Sequence, residues 1–277
     1  HELIISGSNT LTLTNILFGD VWLCSGQSNM EMGINSVANG EQEVANANYP
    51  QIRLFHVPWK AAPKPLQDVD ATWRECSPKT VGTGGWFGAG FSAVAYFFGR
   101  EIHAEIGVPI GLIDSSWGGT RIEPWTPPIG FATVPPLHDI VNVIKEATPN
   151  HEKAIRKAVD DYAAWLPTAR AALDAGKPVA APPAWPKHPL DDNSQPTSIF
   201  NGMIQPLIPF AIRGAIWYQG ESNHPDGLIY HEKMKALING WRMLWGLGDF
   251  PFYFVQLAPF KMIYQDGQIP LIWDCLL

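Results

Sequence analysis

The chain has 277 residues, of which 46% are hydrophobic and 16% charged. That balance suits one α/β core carrying an insertion and excludes long charged disordered tails. A net charge of −7 argues against a nucleic-acid groove, and no apolar run of about 18 residues is present to cross a membrane. Cys24, Cys76 and Cys275 match no zinc spacing, and their odd number leaves disulfide usage open. The 12 Trp fit a carbohydrate-handling surface or a Trp-rich core equally well.

Residues 3–17 alternate in character, and a hairpin is expected there. The apolar run ending at Cys24 reads as a buried strand over 20–24. Residues 33–50 are polar with loose helical spacing, and Ile52, Leu54 and Phe55 suggest a short strand. Residues 58–88 are rich in Pro and Gly turns and read as a long loop. Phe91, Val94, Ala95, Phe98 and Ile102 recur at three and four, which predicts a helix over 90–106 capped by Gly107. A buried strand follows at 109–113. Residues 138–176 carry helical spacing and most of the local charge, as a helical hairpin or one long helix, and 178–198 form a Pro-rich crossing loop. Together 126–198 read as an insertion. Strands at 212–218 and 251–257 flank a helix over 227–245. Strands alternating with helices predict a mostly parallel sheet with covering helices.

Polar residues cluster at the ends of three of these strands: Ser25-Gly26-Gln27-Ser28-Asn29, Asp114 to Thr120, and Gln219-Gly220-Glu221-Ser222-Asn223. Open parallel sheets bind ligands beyond the carboxyl ends of their strands, so the three loops are expected to meet at one edge. Gly26 permits a tight turn exposing Ser28. A serine opening a helix lies near free backbone N–H groups, and Gly118-Gly119 can bring another to a developing oxyanion. Gln219 or Asn223 can offer a side-chain N–H. These are the parts of an acyl-transfer site with a serine nucleophile. The pattern is not Gly-x-Ser-x-Gly, because Met30 stands two residues after Ser28. No Gly-Lys-Ser/Thr phosphate loop follows any strand.

The motifs carry a family resemblance. "GDVWLCSGQSNMEM" at 19–32, "PIGLIDSSWGGTRIEPWTP" at 109–127, "NGMIQPLIPFAIRGAIWYQGESN" at 201–223 and "FPFYFVQLAPF" at 250–260 resemble, in order, blocks of the sialate O-acetylesterase family within the SGNH (GDSL-like) hydrolases. The resemblance implies a three-layer α/β/α flavodoxin-like fold with a mostly parallel sheet, no metal and no cofactor. It makes Ser28 the nucleophile, with the Ser28 and Gly119 amides and the Gln219 side chain as oxyanion donors and Glu221 and Asn223 as supporting polar residues. The implied activity is ester hydrolysis, removing O-acetyl groups from a carbohydrate such as sialic acid or an acetylated plant polysaccharide. That carbohydrate is the expected partner, with no nucleic acid and no membrane, in a secreted, periplasmic or lysosomal setting. Residues 1–18 resemble the last strands of an N-terminal β-rich domain, with 19–277 as the hydrolase domain. The family's base lies in a later Asp-x-x-His block, yet no His follows His231. The hydrolase domain is therefore expected to be truncated at its C-terminus. The alternative expectation is a non-catalytic carbohydrate-binding remnant.

Overall fold

Strand β3 (Asp20–Gly26) is the centre of the fold. It pairs in parallel with β6 (Ile110–Ser116) on one side and with β7 (Gly214–Tyr218) on the other. The sheet continues outward through β4 (Tyr49–His56), parallel to β6, and β8 (Phe252–Phe254), parallel to β7. Among the described strands of this sheet, only β5 (Arg74–Cys76), on the β4 edge, runs antiparallel. The resulting order is β5-β4-β6-β3-β7-β8. The computed structural model describes residues 1–85 and 88–258.

Alternation along β3 feeds two cores, because successive side chains leave opposite faces of a strand. Leu23 packs with Ile113, Ala215, Trp217 and Trp241 beneath helix α7 (Ile229–Trp245). Trp22 and Cys24 pack with Ile52, Leu54, Leu112 and Tyr96 beneath helix α4 (Ala93–Ile106). Helices thus cover both faces of a mostly parallel sheet, giving three α/β/α layers. Helix α4 starts where the Ser92 hydroxyl accepts the Ala95 N–H and stops at left-handed Gly107. The short helices α1 (Ser28–Glu31), α2 (Gly40–Asn46), α3 (Pro78–Val81) and α5 (Pro128–Ala132) line the loops.

Several local expectations change. The 58–88 stretch contains β5 and α3, the latter opened by a reciprocal cap between Ser77 and Thr80. The strand expected over 251–257 spans only Phe252–Phe254. Of the two readings left for 138–176, one long helix forms, α6 (His138–Asp174), running through Pro149 and Pro167. Residues 3–17 form a separate hairpin of β1 (Leu3–Ser6) and β2 (Thr10–Leu13), exposed on both faces. Cys24 and Cys76 are free and buried, whereas Cys275 lies outside the described residues. No helix among the described residues is long and apolar enough to cross a membrane.

Candidate active site

Ser28 is the first residue of α1, directly beyond the carboxyl end of β3. The turn that places it there requires Gly26, whose φ is +146° and whose added Cβ would lie 2.1 Å from the Tyr218 carbonyl oxygen. As the first helical residue, Ser28 has an amide with no intrahelical acceptor. The second loop lies against it. A Cβ on Gly118 would come within 3.5 Å of the Ser28 Cβ and 2.8 Å of Glu31 Oε2. Gly118 donates its N–H to that same Glu31 oxygen at 2.6 Å. The next residue, Gly119, is left-handed (φ +74°) and its Cβ direction faces open space. Glu31, one helical turn after Ser28, thus pins the glycine loop beside it.

One flank of Ser28 is a closed hydrogen-bond network. Gln27 Oε1 accepts from Gln219 Nε2 (3.1 Å) and from the Ser222 N–H (3.2 Å). Gln219 Nε2 also faces the Thr120 carbonyl (3.1 Å) and Asn223 Oδ1 (2.7 Å), and the Tyr230 hydroxyl donates to Gln219 Oε1 (2.7 Å). Gln219 therefore ties the three loops together. Asn223 Oδ1 further accepts the Ile122 N–H, and its Nδ2 donates to Glu123 and Asp226. Lys233, almost fully buried, bridges Glu123 and Asp226 at 2.6 Å each, and Arg121 pairs with the same two carboxylates. Burial works to raise both carboxyls, but Lys233 and their other partners hold them below the ordinary range.

The other flank is less satisfied. Asp114, buried at the end of β6, accepts from Ser116 Oγ (2.6 Å) and pairs with His56 Nδ1 (3.0 Å) from β4. The strand register sets His56 directly opposite Asp114. The hydrogen bond to Asp114 raises the His56 pKa although burial opposes it; Glu31 adds to the rise and Arg74 opposes it. Burial pushes the Glu31 carboxyl up to about 7. Asp114 adds to that rise, while the Gly118 N–H, the Trp59 indole and His56 offset part of it. Glu31 Oε1 is buried with no hydrogen-bond partner among the described residues.

Of the residues expected from the sequence, Ser28, Gly119, Gln219, Glu221 and Asn223 all meet at this sheet edge. Glu221 accepts the Asn29 side-chain N–H, and its second oxygen is buried and unpartnered. The Asn223 and Gln219 amide hydrogens face acceptors inside the protein, so Gln219 reaches an oxyanion only by releasing Gln27, Thr120 or Asn223. Gln27, Glu31, His56 and Asp114 carry much of the geometry without having been given roles from the sequence. The signal for Gln27 and Glu31 was their place one residue before and three after Ser28. Trp22, Trp125 and Trp217 are buried, leaving Trp117 partly exposed among the tryptophans of the strand-end motifs. No group of three metal-ligating side chains occurs among the described residues.

A family model for carbohydrate esterases, described as sialic acid-specific acetylesterase, matches residues 18–158 and 192–269. The chain belongs to this family. Sialate O-acetylesterase of Rattus norvegicus is 34% identical over 268 residues, covering 92% of this chain and 46% of the rat protein. The Homo sapiens sialate O-acetylesterase is 32% identical over 278 residues, covering 95% of this chain and 45% of its own length. The chain thus spans about half the length of the curated relatives it matches. The crystal structure of a carbohydrate acetylesterase from Xanthomonas citri superposes with a TM-score of 0.70 at 30% identity, over 99% of this chain and 50% of that one. Family membership and the three-layer fold agree with the strand-end motifs.

Proposed function

We propose that this chain carries the nucleophile and oxyanion-binding parts of a carbohydrate O-acetylesterase. The observation that carries the reading is the pairing of Ser28, at the first position of α1, with the open Gly119 corner that Glu31 holds beside it. In the proposed reaction Ser28 Oγ attacks the acetyl carbonyl and its proton passes to a base. The negative oxygen that forms is held by the Ser28 and Gly119 amides. Collapse of the intermediate expels the sugar hydroxyl, which takes up a proton, and water then hydrolyses the acetyl-serine. Support for an acetylated sugar as substrate comes from the rat, human and Xanthomonas citri relatives; sialic acid and a plant polysaccharide such as xylan are the two substrates we favour.

We also propose that residues 126–198 are an insertion that shapes sugar choice, and that residues 1–18 close a preceding β-rich unit. A second reading, sugar binding without turnover, draws on one observation: among the described residues the Ser28 hydroxyl has no histidine partner. Hydrolysis of 4-nitrophenyl acetate separates the two. In a version that carries the Asp-x-x-His block, the esterase reading predicts turnover and a loss of at least about 10³-fold in Ser28→Ala. Equal rates from the two proteins would remove Ser28 as nucleophile, and wild-type sugar binding without turnover would favour the second reading.

A further inference from the structure

Beside the nucleophile stands an aromatic and polar surface that the esterase chemistry does not use. Trp59 is 42% exposed and lies parallel on Trp117, with ring centroids 5.3 Å apart and planes 2° apart. Its indole N–H donates to the Ser116 carbonyl at 3.1 Å, which fixes the ring's orientation. The backbone N–H of Trp117 donates in turn to the Gly26 carbonyl, and Gly118 follows it. The Trp59 platform is therefore mounted on the loop that touches Ser28.

His56 stands three residues before Trp59. Its ring is half-buried and fixed through Nδ1 on Asp114, so Nε2 is the ring nitrogen left for a ligand. His56 and Pro58 also line a cavity of about 310 Å³, whose other polar walls are Asp70, Thr72, Arg74, Thr80 and Thr83. A flat, rigidly held aromatic face, a fixed imidazole three residues earlier in the chain and the polar cavity that imidazole lines together match the chemistry of a sugar ring. One face of a pyranose is a patch of C–H bonds, and its edge is a ring of hydroxyls. A Trp face takes the first, and fixed polar groups take the second. Glu31 Oε1, buried and unpartnered in the same cluster, offers a further acceptor.

We propose that Trp59 and His56 form a saccharide subsite, with a pyranose ring of the substrate stacked on Trp59 and one of its hydroxyls bonded to His56 Nε2. The subsite deepens the esterase reading and rests on it for the identity of the site. Sialic acids and xylan chains both present pyranose rings, so the shared chemistry is the ring itself.

The test uses the 277-residue chain with Trp59→Ala, Trp59→Phe and His56→Gln. Hydrolysis of O-acetylated xylo-oligosaccharides and of O-acetylated N-acetylneuraminic acid is compared with that of 4-nitrophenyl acetate. Binding of unacetylated xylotriose and N-acetylneuraminic acid is measured separately by calorimetry, which needs no turnover. The subsite predicts that Trp59→Ala raises KM and Kd for one saccharide class about tenfold more than it changes KM for 4-nitrophenyl acetate, with kcat moving less. His56→Gln gives a smaller rise, and Trp59→Phe recovers most of the loss. The saccharide class that responds identifies the ring. Equal losses on all esters, or saccharide affinity unchanged in both Trp59→Ala and His56→Gln, would overturn the proposal. If the 277-residue chain hydrolyses no ester, a version carrying the Asp-x-x-His block tests the esterase reading and calorimetry still decides the subsite: Trp59-dependent binding upholds it, and no saccharide binding at millimolar concentration defeats it.

Discussion

The two flanks of Ser28 are built on opposite principles. On the Gln219 flank Gln27, Gln219, Asn223, Glu123, Asp226, Arg121 and Lys233 close on one another, and the second Glu221 oxygen is the exception. On the Glu31 flank a carboxyl oxygen is orphaned, an imidazole is half-exposed and an aromatic face is open. A saturated network fixes geometry, because each buried partner removed leaves another unpaired. An unsaturated cluster keeps capacity for a ligand. The difference assigns tethering to the first flank and recognition to the second.

The largest expected effect breaks the closed flank. Lys233→Met leaves Glu123 and Asp226 with Arg121 as their one remaining described cation beside the Asn223 amide, and thermal unfolding should show a loss of about 3 kcal/mol. A loss below about 1 kcal/mol would mean the network is not saturated in solution. Gln219→Ala sharpens the comparison further. If Gln219 is a tether, the variant loses about 2 kcal/mol of stability along with its activity, because Gln27, Asn223 and Tyr230 lose a buried partner. If it is the direct oxyanion donor the family resemblance implies, kcat falls by about 10²–10³ with little change in melting temperature.

The smallest effect is one of pH, and its sign differs between the flanks. Glu123 and Asp226 have depressed pKa values, so their contribution is present above the ordinary carboxylate range and is lost on acidification through the folded values. Glu31 and His56 have raised values. Their contributions are present at low pH and are lost as pH rises, for Glu31 between its ordinary 4.5 and about 7. The groups facing this pair are Asp114, Arg74, the Trp59 indole and the Gly118 N–H. Glu31→Gln keeps an acceptor for Gly118 and removes the ionisation. It should equal wild type in stability near pH 4 and exceed it by about 2 kcal/mol at pH 8. Denaturant melts at the two pH values read this directly, and a parallel offset at both would contradict the assignment of the shift to Glu31.

The sheet was legible because β3, β6 and β7 are apolar runs buried by helices on both faces, and each ends in a polar loop. Strand β5 was not, since it has only three residues and sits among prolines on an edge. Helix α6 left two readings open because Pro149 and Pro167 removed amide donors from a helix that nonetheless continued. At the site, Ser28 and the glycines announce themselves by local turn chemistry. The His56–Asp114 pair spans 58 residues and exists only through the β4–β6 register, which no local spacing reveals. The orphaned oxygens of Glu31 and Glu221 were equally hidden, because burial of a single carboxyl oxygen is decided by distant loops.

The central claim is that Ser28, set between these flanks, is the nucleophile. Incubating the 277-residue chain with an alkyl fluorophosphonate and mapping the product by peptide mass spectrometry tests it most directly. The account predicts one adduct, on Ser28, that disappears in Ser28→Ala. An adduct on another residue with Ser28 unmodified, or hydrolysis of acetyl esters by a chain whose Ser28 never reacts, would contradict it.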